Sequence, residues 1–204
     1  MHLQRLIPLL VLPLLYSANV HGSPPSAAKV GEAAPEFSLK DLDGKTHTLS
    51  SFRGKTVVLE WFNPDCPFVV LAHGRTQSLK GEGNAKQKDG IVWLAINSNA
   101  KGKQGHGADA NRKGVKRFGI QYPVLLDPTG QVGRLYGASR TPEMIIIDPS
   151  GTLRYRGAVD NSRGGDIEKD SKFIHYVRQS LKQLNDKKAV QPSKTKPWGC
   201  SVKY

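Results

Sequence analysis

The sequence predicts an α/β fold in which helices cover both faces of a central mixed sheet. Three observations lead to this prediction. Strand-like runs of apolar and β-branched residues alternate with helix-like segments along most of the chain. The run at 91–97 is almost uninterrupted in its apolar character, which is typical of a strand buried on both faces. Near the end, two strands around Pro149-Ser150-Gly151 form a hairpin, and an amphipathic helix then closes the domain.

The first half of the chain begins with two short strands that an Asp-Gly turn connects. Alternating residues predict both strands, and Asp43-Gly44 supplies the turn. A longer β-branched run follows, and after it comes a segment that favours a helix. In chain order, the predicted elements are strands at 35–39, 46–49 and 56–62, a helix from Pro67 to about Lys80, and a polar connection at 81–90.

The second half of the chain ends in the clearest helical pattern. Ile174, Val177, Leu181 and Leu184 recur at helical spacing and predict an amphipathic helix over 166–185. Three glycines among polar residues predict a loop at 99–107. The other predicted elements are strands at 91–97, 122–126, 143–147 and 153–156, a short helix at 109–118 and a helical turn or two at 131–136.

The N-terminal residues have the pattern of a secretory signal. His2 and Arg5 precede an apolar run at 6–16, and small residues follow at Ala18 and Gly22. The run is shorter than the ~20 apolar residues that a spanning helix needs. We therefore expect a cleavable signal peptide at 1–22 and export to the periplasm or the extracellular space, where disulfides persist. The predicted organisation is then a flexible leader at 23–30, one domain at 31–186 and a C-terminal tail at 187–204.

Charge and composition exclude several classes of function. The chain has 30 Lys and Arg against 17 Asp and Glu, a formal net charge of +13. These basic residues are scattered, without the interleaved aromatics of a nucleic-acid surface, so we expect no nucleic-acid partner and at most a loose attraction to an anionic envelope surface. His47, His106 and His175 lack ligand spacing, which disfavours a metal site. The sequence does not predict an oligomeric state.

Cys66 is the most informative residue of the chain. It lies where the predicted strand at 56–62 gives way to the predicted helix, and the positive end of a helix dipole favours the thiolate. The thiolate is the form that attacks disulfides and peroxides. Three residues later, where a dithiol redox motif has its second cysteine, the sequence has Val69. Asp65 is adjacent and should partly offset the helix dipole.

Several segments resemble the redoxin branch of the thioredoxin superfamily, especially its peroxiredoxin-like group. The pattern of this group is matched around Cys66 by the segment Trp-Phe-Asn-Pro-Asp-Cys-Pro-Phe-Val, and at Cys200 by a Gly-Cys pair. The matching segments occur in the right order at 31–37, 41–45, 52–55, 61–69, 136–143, 155–161 and 199–203. The resemblance implies a thioredoxin-like three-layer fold and thiol redox chemistry, without an organic cofactor and with electrons from a thiol donor.

The resemblance also implies roles for individual residues. Cys66 matches the nucleophilic cysteine, and Thr141-Pro142 matches the loop that holds a cis-proline against it. Glu60 matches the buried acid beneath the active site. The alternative is that Glu60 lies on an exposed face of its strand. Typical peroxiredoxins have a proline and a hydroxyl residue where this chain has Leu59 and Asn63, which weakens the case for a peroxidase.

Cys200 is the only other thiol of the chain, and 133 residues separate it from Cys66. Three roles remain open for it: a resolving cysteine, a permanent structural bridge to Cys66, or an uncoupled thiol. The resulting hypothesis is an exported thiol oxidoreductase whose substrate is a protein disulfide or a hydroperoxide. The alternatives are a redox-inactive binding module and, with less support, a metallochaperone. His73 is expected to be a packing or surface histidine, too far along the helix to contact Cys66.

Overall fold

A computed structural model describes residues 27–74, 76, 78–164 and 172–204. The predicted signal peptide lies outside the described residues, and among those residues no helix is long and apolar enough to cross a membrane. The centre is a seven-stranded mixed sheet with the order β2-β1-β5-β4-β3-β7-β8. Its strands are β1 (Ser38–Asp41), β2 (Thr46–Thr48), β3 (Val57–Trp61), β4 (Val92–Asn97), β5 (Val124–Leu126), β7 (Glu143–Ile147) and β8 (Leu153–Gly157).

The central strand β3 explains why helices cover both faces of the sheet. It pairs in parallel with β4 and antiparallel with β7, so that Glu60 lies opposite Ala95 and Met144. Every residue of β3 is buried. Because side chains alternate along a strand, Val58 and Glu60 face one layer, and Leu59 and Trp61 face the other. A strand buried in this way needs a helical layer on each side.

Among the described residues, the two layers contain five α-helices. These are α1 (Pro67–His73), α2 (Glu82–Lys88), α3 (Gly107–Phe118), α4 (Gln131–Leu135) and α5 (Tyr176–Asn185). One apolar cluster joins Val58 and Phe62 to Val69 of α1 and Val177 of α5. The other joins Trp61 of the opposite face to Val132 of α4 and to segments near both ends of the chain. This architecture confirms the predicted three-layer fold with a central mixed sheet.

Two helices differ from the prediction. The predicted helix at 67–80 ends at His73, and a second helix, α2, occupies most of the predicted polar connection at 81–90. The side chain of Glu82 in α2 is buried, and Arg178 of α5 pairs with its carboxylate at 2.7 Å. This contact between distant segments was not visible in local sequence patterns.

The last helix begins at Tyr176, whereas the sequence predicted a start at 166. Residues 165–171 lie outside the described residues, and 172–175 are not helical. His175 caps the helix, since its Nδ1 accepts a hydrogen bond from the backbone N–H of Arg178 at 3.2 Å. An imidazole acceptor at this position fixes the first turn much as a polar cap does.

Both ends of the described chain pack against the domain. The backbone N–H of Ala28, within the predicted leader, donates to Leu135 O at 3.0 Å. In the C-terminal tail, Trp198 and Val202 are buried. The tail also forms β9 (Cys200–Ser201), which pairs antiparallel with β6 (Arg140–Thr141) in a separate two-stranded sheet. This pairing brings the tail to the same end of the central sheet as Cys66.

Candidate active site

Cys66 lies at the junction between β3 and α1, as the sequence predicted. It is the N-cap residue of α1, and its carbonyl accepts from Val70 N at 2.9 Å. Its own N–H donates to Asn63 O at 3.1 Å, which closes a tight turn after the strand. Pro67 occupies the first helical position, where its missing N–H costs no hydrogen bond. The side chain of Cys66 is 0% exposed.

The thiol of Cys66 contacts the loop that the resemblance assigned to it. Its Sγ donates a hydrogen bond to Thr141 O at 3.2 Å, and the Thr141–Pro142 bond is cis. A carbonyl oxygen can only accept, so the thiol hydrogen of Cys66 is directed at Thr141 O. The contact places the Cys66 sulfur directly against the cis-proline loop.

Cys200 lies beside Cys66 despite their separation in sequence. In the β6–β9 ladder, Thr141 pairs with Cys200, while the carbonyl of Thr141 accepts from Cys66. Burial raises the pKa of Cys200 from 9.0 to about 11, with further contributions from a hydrogen bond to Cys66 and from its charge. Both cysteines are free thiols in the structure. The two sulfurs are therefore partners in one site.

The C-terminal tail is held in place on both sides of Cys200. Before it, the indole N–H of Trp198 donates to Asp160 O at 2.9 Å, and its ring lies 6.3 Å from that of Phe68. After it, Tyr204 donates its hydroxyl to Ala138 O at 2.8 Å. Sequence analysis missed these contacts, because an aromatic residue in a polar tail carries no signal for what it packs against.

Gly199 explains the Gly-Cys pair of the sequence. Its φ is +120°, and a Cβ at this position would lie 2.2 Å from Thr141 O. Such an approach is far below any real Cβ contact, so only glycine lets β9 lie this close to β6. The residue before Cys200 therefore determines how closely the second thiol approaches the first.

Glu60 is buried, so the alternative of an exposed strand face is wrong. One carboxylate oxygen accepts from His73 Nε2 at 2.8 Å. The other accepts from Trp93 Nε1 at 3.1 Å and from the hydroxyl of Tyr122 at 3.0 Å. Burial, together with the charge of Glu60, raises the pKa of Tyr122 well above its usual value. These hydrogen bonds join the carboxylate to the core of the fold and not to Cys66.

His73, expected only as a packing or surface histidine, is buried and is the partner of this acid. The four polar side chains of the cluster come from α1, β3, β4 and the segment before β5. No spacing in the sequence marks such a set, because its members meet only after the helix packs on the sheet. The structure thus brings Cys66, Thr141, Pro142 and Cys200 together and places Glu60 in a neighbouring buried cluster.

The loop at 99–107 supports the turn before Cys66. Gln104 Nε2 donates to Asp65 O at 3.0 Å, and Asn63 Oδ1 accepts from Asp65 N at 3.0 Å. A Cβ on Gly105 would lie 2.0 Å from Asn63 Oδ1, so the loop and the turn are in close contact. Asn63 Nδ2 is buried without a hydrogen-bond partner among the described residues. The loop therefore helps to position the turn that precedes Cys66.

The sequence is similar to a known family and to known oxidoreductases. The Redoxin family model matches residues 29–172. The chain is 31% identical to the thiol-disulfide oxidoreductase ResA of Geobacillus thermodenitrificans over 63% of this chain and 69% of the relative. It is 33% identical to the thiol:disulfide interchange protein DsbE of Vibrio cholerae over 66% of this chain and 68% of the relative.

A solved structure extends the similarity to nearly the whole described fold. The crystal structure of an uncharacterized conserved protein from Geobacillus kaustophilus matches with a TM-score of 0.74 and 28% identity. The match covers 86% of this chain and 92% of that chain. Since the family model spans well over half of the residues, the chain belongs to the redoxin family, within the thioredoxin superfamily.

Proposed function

We propose that this protein is a thiol–disulfide oxidoreductase in which Cys66 is the nucleophile and Cys200 is the resolving thiol. The observation that carries the proposal is the joint placement of both thiols at Thr141. Cys66 Sγ donates to the carbonyl of Thr141, and Cys200 pairs with the backbone of the same residue. The names of the ResA and DsbE relatives support a disulfide as the substrate class.

The reaction begins with the Cys66 thiolate. It attacks one sulfur of a substrate disulfide, a mixed disulfide forms, and the other substrate sulfur leaves as a thiolate that takes a proton from water. Cys200 then gives its proton to water, and its thiolate attacks Cys66 Sγ. The Cys66–Cys200 disulfide forms, and the second substrate thiolate leaves. The substrate gains two electrons, and an external thiol donor returns two electrons to the protein.

The raised pKa of Cys200 sets the order of these steps. At a pKa of about 11, Cys200 stays protonated at neutral pH and does not attack first. Two of the causes of the raised pKa are the hydrogen bond to Cys66 and its charge. Both change when Cys66 enters a mixed disulfide, because its sulfur is then neutral. Formation of the intermediate therefore lowers the pKa of Cys200, while burial, the largest cause of its raised pKa, acts independently of Cys66.

The proposal includes the compartment and the partners. The signal-like residues at 1–22 support export to a compartment in which disulfides persist. The substrate is a protein disulfide, and the donor is a thiol of another molecule. Asn63 replaces the hydroxyl residue of typical peroxiredoxins, so a hydroperoxide is the less favoured oxidant.

Stopped-flow mixing of the reduced protein with an oxidised model dithiol, and separately with hydrogen peroxide, tests the function. We expect the disulfide to oxidise wild type faster than it oxidises free cysteine, and Cys66→Ser to abolish the reaction. Cys200→Ser should accumulate a mixed disulfide at Cys66, which mass spectrometry detects. If peroxide is the faster oxidant, the substrate assignment is wrong. If neither oxidant reacts faster than with free cysteine, the protein is a binding module.

A further inference from the structure

Strand β6 is an edge next to the active-site thiol, and the protein covers it with its own tail. Among the described residues, β6 pairs only with β9 and takes no part in the seven-stranded sheet. The paired residues are Arg140 with Ser201 and Thr141 with Cys200. An uncovered edge of this kind can pair with an extended peptide from another chain. Here the position next to Cys66 is already filled by a cysteine-bearing strand.

The segment 198–202 occupies this edge through its side chains as well as its backbone. Two residues before Cys200, Trp198 is only 9% exposed and packs beside Phe68 of α1. Two residues after Cys200, Val202 is 8% exposed, and its N–H donates to Ser139 O at 3.2 Å. Between them, Gly199 permits the close approach to Thr141. The β6 edge thus accepts an aromatic residue at the position of Trp198, a residue without Cβ at that of Gly199, and an apolar residue at that of Val202.

We propose that the segment 198–202 is a competitor that must leave the β6 edge before a substrate reaches Cys66, and that the edge favours an external, extended peptide that reproduces the side-chain positions of this segment. The peptide has an aromatic residue two positions before its cysteine, a glycine directly before it, and an apolar residue two positions after it. This inference rests on the proposed function, because docking matters only if Cys66 exchanges with a disulfide.

The burial of Cys66 supports this competition. Its side chain is 0% exposed while the tail is in place, so a peptide sulfur has no access to it. A substrate that pairs with β6 must displace β9, and it takes over the hydrogen bonds of Thr141 with its own backbone. The edge therefore favours partners whose sequence reproduces the contacts of the segment 198–202.

A peptide with the sequence of residues 196–204, Lys-Pro-Trp-Gly-Cys-Ser-Val-Lys-Tyr, serves as the probe. Its cysteine is linked in a disulfide to thionitrobenzoate, and the protein is the full chain with Cys200→Ser. The Cys66 thiolate bonds to the peptide sulfur, and thionitrobenzoate leaves as a coloured thiolate whose absorbance gives the rate. A second peptide with alanine in place of tryptophan measures the contribution of the aromatic position.

The tail is loosened with Gly199→Ala, whose Cβ would meet Thr141 O at 2.2 Å. The matched control is Gly44→Ala, which has a positive φ of 81° but no atom within 4 Å of the added Cβ. With Cys200→Ser as background, we expect Gly199→Ala to raise the rate with the tryptophan peptide about tenfold or more, and Gly44→Ala to leave it unchanged. The alanine peptide should react about tenfold more slowly.

Trp198→Ala is a second way to loosen the tail, and circular dichroism checks that each variant is folded. Equal rates for the background and both loosened variants would overturn the competition. Equal rates for the two peptides would overturn the recognition of the aromatic residue. In both cases a fast reaction of Cys66 with a small aromatic disulfide leaves the proposed function intact. If that small disulfide also reacts no faster than with free cysteine, the proposed function itself fails.

Discussion

Replacement of Glu60 by alanine is expected to remove most of the folding stability of this domain. The carboxylate is 0% exposed and accepts hydrogen bonds from His73, Trp93 and Tyr122. Alanine leaves three buried donors without an acceptor, at a cost of about 1–3 kcal/mol for each. The expected loss is therefore about 3–9 kcal/mol, against a total stability of about 5–15 kcal/mol for a typical domain.

Glutamine at the same position provides the informative contrast. Its amide oxygen can accept from Trp93 and Tyr122, and its amide N–H₂ can donate to a neutral His73. We therefore expect Glu60→Gln to cost only about 1–2 kcal/mol. The control is Glu32→Ala, because Glu32 is 51% exposed in a surface ion pair with Lys29 and such pairs contribute at most ~1 kcal/mol.

Urea denaturation of the reduced proteins, followed by tryptophan fluorescence, measures these differences. A loss for Glu60→Ala that is within about 1 kcal/mol of the loss for Glu32→Ala would refute the structural role. The folded Glu60→Gln variant also separates structure from catalysis. Because the hydrogen bonds of Glu60 lead away from Cys66, we expect its rate of disulfide exchange to change less than tenfold, whereas loss of a general acid or base typically costs about 10²–10⁴.

Three further predictions concern the thiols and pH. Oxidation to the Cys66–Cys200 disulfide should raise the free energy of unfolding by up to about 5 kcal/mol, because the bond closes a long loop. Equal urea midpoints for the oxidised and reduced proteins would argue against the bond. Peptide mass spectrometry follows the alkylation of Cys200 as a function of pH, and its midpoint should lie near pH 11. The midpoint should fall in Cys66→Ser, since Cys66 contributes to the pKa of Cys200. An unchanged midpoint would contradict the contact between the two thiols. Burial lowers the pKa of His175 below 6.5, so the unfolded chain binds the proton more readily and stability falls as pH drops below that value. In His175→Asn, which retains a capping side chain, this dependence should flatten, and an identical slope would count against the assignment.

The parts of the fold that the sequence predicts are those that depend on local pattern. The apolar run of β4 predicts two-sided burial, and all residues of this strand but the first are buried. The end of α1 at His73 and the start of α5 at Tyr176 differ from the predicted bounds. Both bounds depend on how the helices pack against neighbouring segments, which local patterns do not show. At the site, the sequence predicts Cys66 at a strand–helix junction. Periodicity cannot show that the tail returns to Thr141, since that pairing links residues far apart in the chain.

The position of the second thiol distinguishes this protein from a dithiol oxidoreductase. A cysteine at position 69 would lie on α1 within the buried core, where Val69 is 0% exposed. A thiol there would be part of the helix and could not move away from the site. Cys200 instead lies on a two-residue strand that joins the site through β6, Trp198 and Tyr204. A second thiol of this kind can leave the site while a substrate binds and return to resolve the intermediate. Under the proposed mechanism, the segment that covers Cys66 also supplies the resolving thiol, so access of substrate and resolution are controlled by one structural element.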